Sequence, residues 1–300
     1  MIPHPFGYHR ATSLEDASRL LSELGEDSKV LAGGQSLIPL MKLRLARPGS
    51  LVDLNHIPHA AYIERQNGHL RIGAMTRHSE IENSPHAASI PILHDCAAGI
   101  ADVQVRNMGT IGGSVAEADP HGDWAPVLLA LDAEVESVGP AGARTVPISQ
   151  FIKDAFTTVL GPAELLREIR VPTPPARSAG AFIAFKRCAP VYPTASAAVQ
   201  VTMVDDDFCR DAHIALGCVG LTPIVAKEAE AALREQAITS LSIERAADAA
   251  MAAADPQPDL RGSANYKRLL LRVLVRRALH AALARARGET VEVSHEYVGR

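Results

Sequence analysis

Two pairs of adjacent glycines constrain this chain more than any other feature: Leu31-Ala32-Gly33-Gly34-Gln35-Ser36 and Gly109-Thr110-Ile111-Gly112-Gly113-Ser114. Each follows or interrupts an apolar, strand-like run. Paired glycines let the backbone come close to a ligand and aim several N–H groups at one anion, and a following Ser or Thr adds a hydroxyl. One such pair is also an ordinary tight turn. Two of them suggest a dinucleotide, whose pyrophosphate is the natural guest. Neither pair has the spacing G-x-G-x-x-G or G-x-x-x-x-G-K-[ST], so the Rossmann and P-loop folds lack their signatures and a different dinucleotide fold is required.

The remaining composition narrows the class. With 300 residues, 47% of them apolar and 21% charged, the chain can build two domains with their own cores. A net charge of −4 gives no electrostatic footprint for nucleic acid. Arg272, Arg276, Arg277, Arg285 and Arg287 are interleaved with Leu and Ala in one C-terminal helical pattern, which reads as a solvated face or a subunit contact. No basic stretch leads into an apolar run at Met1-Ile2-Pro3-His4-Pro5-Phe6, and no window has the length of a membrane span. A cytoplasmic location is the expectation. Cys96, Cys188, Cys209 and Cys218 contain no C-x-x-C pair, so they read as structural thiols rather than as ligands of a cluster or zinc.

Tyr8–Ala11, Lys29–Ala32 and Leu51–Leu54 read as strands. Ser13 to Asp16 has the spacing of a helix cap, opening a helix through Leu24 that stops at Gly25. A short helix follows the first glycine pair over Leu37–Arg44. Gln66-Asn67-Gly68 marks a hairpin within 61–74, and Glu134–Val138 pairs with Ala143–Val146 across Gly139-Pro140-Ala141-Gly142. Helical patterns cover 79–83, 92–101 and 126–132. The prolines of Pro172-Thr173-Pro174-Pro175 place a boundary there. Beyond it, 181–187, 195–204 and 212–219 are expected to form a small antiparallel sheet, followed by helices over 224–234, 243–254 and 265–287 and a polar tail, mobile or docked on a partner. The division is 1–175, 176–290 and 291–300.

Other clusters carry less chemistry. Asp119-Pro120-His121-Gly122-Asp123 supplies too few oxygen ligands for a hard metal, whereas a carboxylate shortly after a phosphate loop can accept a ribose hydroxyl, which makes Asp123 the ribose candidate. His94-Asp95-Cys96 are adjacent on a helix and project apart, so they form no triad. The residues indicate no catalytic side chain and no metal site.

Taken in order, Ala32 to Ala46, Leu51-Val52-Asp53-Leu54, Ile72-Gly73-Ala74-Met75-Thr76 and Arg106 to Ser114 resemble the FAD-binding medium subunit of the molybdenum hydroxylase family, which includes xanthine dehydrogenase, and most closely its carbon monoxide dehydrogenase branch. The likeness runs from Pro5 to Arg287. It implies an α+β protein: a two-lobed FAD-binding domain of the vanillyl-alcohol-oxidase (PCMH) type, then a small α+β domain with a three-stranded antiparallel sheet and helices. It implies FAD between the lobes on Leu31, Ala32, Gly33, Gly34, Gln35, Ser36, Leu37 and Ile38 and on Thr110, Ile111, Gly112, Gly113 and Ser114. Asp123 then meets the adenosine ribose, Leu165 and Ile100 are apolar contacts, Lys186 is the lysine of Phe185-Lys186-Arg187, and Tyr192 flanks the flavin. Many relatives carry His at Gln35 and an acidic residue at Val191. The amide of Gln35 keeps a donor and an acceptor. No counterpart exists for the cluster-bearing insertion of benzoyl-CoA-reducing relatives.

The resemblance also implies partners: a small subunit with [2Fe–2S] clusters and a large subunit with a molybdopterin-type cofactor, assembled as a dimer of heterotrimers. The chain would then carry electrons from the iron–sulfur subunit through FAD to an external acceptor. A free-standing flavin reductase or oxidase on the same scaffold, resembling the enolpyruvyl-group reductases, is the alternative. It would need a proton donor that no motif here supplies.

Overall fold

The computed structural model describes residues 2–293 and 296–297. Its first sheet is parallel: Ser50–Asp53 lies between Gly7–Arg10 and Ser28–Leu31. Helix Leu14–Leu24 connects two of these strands. It starts where Ser13 Oγ accepts the N–H of Asp16, and it stops at Gly25, whose φ of 71° suits glycine. Ala17 and Leu21 face Val52 in the small core beneath.

The second sheet has five strands in the order Ile63–Gln66, His69–Gly73, Leu165–Pro172, Glu134–Gly139, Gly142–Pro147. Asn67 and Gly68 turn the first hairpin with φ of 51° and 78°, as that dipeptide predicts. Its central strand, Leu165–Pro172, has no element assigned to it by sequence. Two features hide it. A bulge between Leu166 and Glu168 breaks the two-residue alternation, and Glu168 is fully buried inside the sheet. That carboxylate is held by Arg71, whose Nη2 donates at 2.6 Å, by Arg170 Nε at 2.5 Å and by the Tyr62 hydroxyl.

The third sheet is built on the expected antiparallel strands, Ser178–Lys186, Ala195–Met203 and Phe208–Gly217. Ile224–Val225 extends it, so the single helix expected over 224–234 is a short strand followed by the helix Lys227–Ala231. Glu296–Tyr297 adds a parallel strand at Phe185–Lys186. Val291 and Val293 pack on the helical core, so the described part of the tail docks on its own chain. Residues 294, 295 and 298–300 of the tail lie outside the described residues.

Every residue of Ala195–Met203 is buried. One face of the sheet packs on helices Ser240–Ala253 and Ala264–Ala286; the other sends Phe182, Ala184, Ala198 and Ala215 into the core formed with helices Pro91–Gly99 and Trp124–Ala130. Burial on both faces explains why these strands read as unbroken apolar runs.

Arg285 corrects the expectation of a solvated arginine face. Its guanidinium is 9% exposed and grips Asp95 through both nitrogens, Nη1 at 2.6 Å and Nη2 at 2.9 Å. Nη1 also donates to Gly180 O, and Asp95 accepts the N–H of Phe182. Arg272 and Arg276 pair with Asp248 and Glu244 on the adjacent helix. Breaking one partner of a buried ion pair leaves the other charge stranded. Arg285→Met should therefore lower the unfolding free energy by about 3–5 kcal/mol, measured by urea titration; a loss below about 1 kcal/mol, the usual worth of an exposed pair, would contradict this account.

Candidate functional site

The two glycine-rich loops meet backbone to backbone, Gly33 against Met108 and Gly109. A Cβ on Gly33 would stand 2.7 Å from Gly109 Cα and closer still to the Met108 carbonyl oxygen. Only glycine permits that approach. Gly34 has a φ of +70°, and a Cβ there would strike Ile38 Cδ1 at 2.7 Å. Gly112 lies against Ala74, 2.6 Å from its carbonyl oxygen at the Cβ position, and a Cβ on Gly113 would meet Thr110 Oγ1 at 2.8 Å and Ala32 Cβ at 3.6 Å.

The two loops differ in what their N–H groups do. In the second, Ile111 N–H donates to Thr76 O at 3.1 Å, Gly112 N–H to Ala74 O at 2.9 Å and Gly113 N–H to Thr110 Oγ1 at 3.1 Å. Those residues open the helix Ile111–Glu117, so the second pair is a braced helix start rather than a free loop. In the first, the N–H groups of Gly33, Gly34, Gln35, Ser36 and Leu37 donate to no protein acceptor among the described residues. Five successive unpaired donors around a left-handed glycine are the donor set that an anion cradle requires. The Gln35 amide folds back on Gly33 O at 3.1 Å, leaving the N–H row uncovered.

Asp53, from the Leu51–Leu54 motif, and two residues that sequence reasoning missed, Asn55 and Arg77, hold this arrangement. Asp53 accepts the hydroxyl of Tyr8 and, at 2.6 Å, the amide of Asn55, which also donates to Ala32 O at 2.8 Å. Arg77 donates to Asn55 Oδ1 at 2.6 Å and to Met108 O. Asn55 and Arg77 lie one residue beyond the motifs Leu51–Leu54 and Ile72–Thr76, and only the fold brings them together.

Behind the loops, Lys186 is 1% exposed; its Nζ donates to Gly99 O at 2.5 Å and lies 3.4 Å from Asp123 Oδ2. The predicted pair of Asp123 and Lys186 is thus adjacent, beside Ile100 at the end of helix Pro91–Gly99. A helix end presents carbonyl oxygens, which favour an ammonium group. Leu165 is a core residue, 4% exposed, in the apolar cluster that Ala32 packs against. Tyr192 is partly exposed, its ring centroid 6.1 Å from that of His121. Burial and the carboxylates Asp119 and Glu117 raise its phenol above the ordinary range. His121 bridges Asp119 and, at 3.8 Å, Asp259. Cys96, Cys209 and Cys218 are buried as expected of structural thiols, but Cys188 is exposed.

His78 ties the second loop to Asp123. Its backbone N–H donates to Gly109 O, and its Nδ1 accepts from Trp124 Nε1 at 3.1 Å, one residue after Asp123. A Cβ on Gly109 would touch its ring at 2.8 Å.

A family described as the FAD binding domain in molybdopterin dehydrogenase matches residues 4–174, and the CO dehydrogenase flavoprotein C-terminal domain matches 180–282. The chain belongs to this family of FAD-binding oxidoreductase subunits. Among its relatives, the medium chain of carbon monoxide dehydrogenase from Afipia carboxidovorans is 42% identical, covering 96% of this chain and 100% of that protein. The 6-hydroxypseudooxynicotine dehydrogenase complex subunit alpha of Paenarthrobacter nicotinovorans is 40% identical, covering 98% and 100%. Among solved structures, carbon monoxide dehydrogenase from Hydrogenophaga pseudoflava superposes with a TM-score of 0.92 at 42% identity, covering 95% of this chain and 99% of that one. Quinoline 2-oxidoreductase from Pseudomonas putida superposes at 0.90 with 30% identity, covering 96% and 100%. The expected family, the FAD cofactor and the α+β architecture are borne out.

Burial pushes the His78 imidazole down from 6.5 to about 3, with the cations of Arg77 and Arg106 adding to it. The folded chain therefore keeps His78 neutral where the unfolded chain protonates it. Its contribution is fully present above pH 6.5 and is lost as pH falls towards 3. Between pH 7 and 5 this one group should remove about 2 kcal/mol of stability. His78→Asn should flatten that segment of the stability curve, measured by urea unfolding; an unchanged slope would contradict a neutral, buried His78.

Proposed function

We propose that this chain is the electron relay of a molybdenum hydroxylase, carrying electrons from a [2Fe–2S] partner subunit through FAD to an external acceptor. The carrying observation is the row of free N–H groups from Gly33 to Leu37, with Gly33 packed on Met108 and Gly109 at the start of a second, braced glycine-rich loop. The donor set fits a pyrophosphate: five neutral donors, a left-handed glycine and no carboxylate hydrogen-bonded to the row.

In this reading the N–H groups of Gly33, Gly34, Gln35, Ser36 and Leu37 hold the pyrophosphate, while Leu31, Ala32 and Ile38 shape the apolar edge. The second pair acts differently from the first. Ile111, Gly112 and Gly113 brace it through their N–H groups, and the hydroxyls of Thr110 and Ser114 border the ligand. Asp123 accepts the ribose hydroxyl with Lys186 holding its carboxylate in place. Ile100 and Leu165 support the apolar side, and Tyr192 shields the ring. Bound FAD supplies the redox chemistry, accepting electrons singly and delivering them to an acceptor. The chain's own residues bind it, orient it and keep water from part of it. No side chain needs to act as nucleophile.

The same reading divides the chain into an FAD-binding domain over 1–175, a second domain over 176–290 and the tail 291–300. Among the described residues no group of three or more His, Cys, Asp or Glu side chains could hold a metal ion, which supports assigning the iron–sulfur and molybdopterin centres to other chains. Relatives named as a medium chain and as a complex subunit support such an assembly, proposed as a cytoplasmic dimer of heterotrimers. No helix among the described residues is long and apolar enough to cross a membrane.

Purified with its neighbours, the chain should carry one FAD, and substrate should bleach that flavin only when the iron–sulfur and large subunits are present. Turnover by the isolated chain with NAD(P)H and a small substrate would instead establish a free-standing reductase.

A further inference from the structure

We propose that Arg77 and Asn55 form a latch that sets the spacing of the two glycine loops, and thereby the affinity of the cradle for the diphosphate of FAD. The inference rests on the FAD reading above and adds positioning residues to it. Arg77 belongs to the second loop by its backbone: on one side Ile111 N–H donates to Thr76 O at 3.1 Å, on the other His78 N–H donates to Gly109 O at 3.1 Å. Its side chain belongs to the first. Nη2 donates to Asn55 Oδ1 at 2.6 Å, and Asn55 Nδ2 donates to Ala32 O at 2.8 Å, one residue before the row of free N–H groups.

The latch is closed at both ends. Nη1 donates to Met108 O, the carbonyl that excludes a side chain from Gly33. Asn55 is anchored from behind by Asp53, which accepts its N–H at 2.9 Å and its amide at 2.6 Å, and Asp53 is itself bonded by Tyr8. The guanidinium is one carbonyl away from Gly33, and among the described residues it forms no ion pair. The carboxylates of Glu80 and Asp53 act on it only from beyond ion-pair distance, so a cation this close to an anion cradle adds attraction for the diphosphate as well as geometry. The planar fork is needed because its two ends reach different loops; a single ammonium cannot span both.

The test is titration of the full chain, freed of flavin, with FAD and separately with riboflavin, which lacks the diphosphate. Arg77→Met and Asn55→Ala should each raise the Kd for FAD about tenfold or more, the scale of one hydrogen bond to a charged group. Riboflavin affinity should stay within about twofold, a split that general loosening of the fold would not give. The double variant should lose no more than the worse single one, since the two residues act as one unit. Arg77→Lys should recover only part of the loss. Should Arg77→Met fail to fold, Asn55→Ala and Arg77→Lys carry the same comparison. FAD affinity unchanged in folded variants, equal losses for FAD and riboflavin, or independent losses in the double variant would overturn the latch while leaving the FAD reading intact. Failure of the unaltered chain to bind FAD would overturn both.

Discussion

The contact of Gly33 with Met108 and Gly109 is the constraint on which the rest of the site depends. Two loops far apart in sequence can touch through bare backbone only where one offers a residue without a Cβ. Once they touch, the second loop must spend its N–H groups on Thr76, Ala74 and Thr110 to stay rigid, and the first is left with its own N–H groups directed to no protein acceptor. The first loop therefore presents donors, and the second, through Met108 and Gly109, supplies the wall against which they are presented.

A wall of this kind has to be held from outside, and the C-terminal strands do so. Their sheet is buried on both faces, and two charged side chains cross from that region into the first one. Lys186 reaches Gly99 and Asp123, and Arg285 reaches Asp95, one turn earlier on the same helix as Gly99. The apolar layer between them, with Phe182, Ala198, Ala215 and Trp124, leaves little freedom for either region to slide. His78, neutral and wedged between Gly109 and Trp124, transmits that rigidity to the loops. Site and scaffold share residues, so loosening one should loosen the other.

Local signals were legible where chemistry is local. Ser13 and Gly25 mark both ends of their helix, Asn67-Gly68 turns its hairpin, and the glycine pairs, Asp123 and Lys186 all lie near the site. What sequence could not show depends on partners distant along the chain. Leu165–Pro172 is concealed because Glu168 is charged and yet buried, a combination that depends on Arg71 and Tyr62, which lie far upstream in the sequence, as well as on nearby Arg170. Arg285 looks like any surface arginine in a helix until Asp95 arrives opposite it. Ile111 and Gly112 look like donors of a second free loop because their acceptors, Thr76 and Ala74, come from the turn after strand His69–Gly73, far away in the sequence. Ile224 and Val225 follow a helical pattern but are drawn into pairing by Ala215 and Leu216.

The account rests on a division of labour between the loops, and amide hydrogen exchange in the full chain with and without FAD measures it directly. The N–H groups of Gly33, Gly34, Gln35, Ser36 and Leu37 should exchange rapidly without FAD and slow strongly when it binds, while those of Ile111, Gly112 and Gly113, already bonded, should be slow in both states. Saturation with FAD that leaves exchange at Gly33 to Leu37 unchanged, or that newly protects only Ile111 to Gly113, would contradict it.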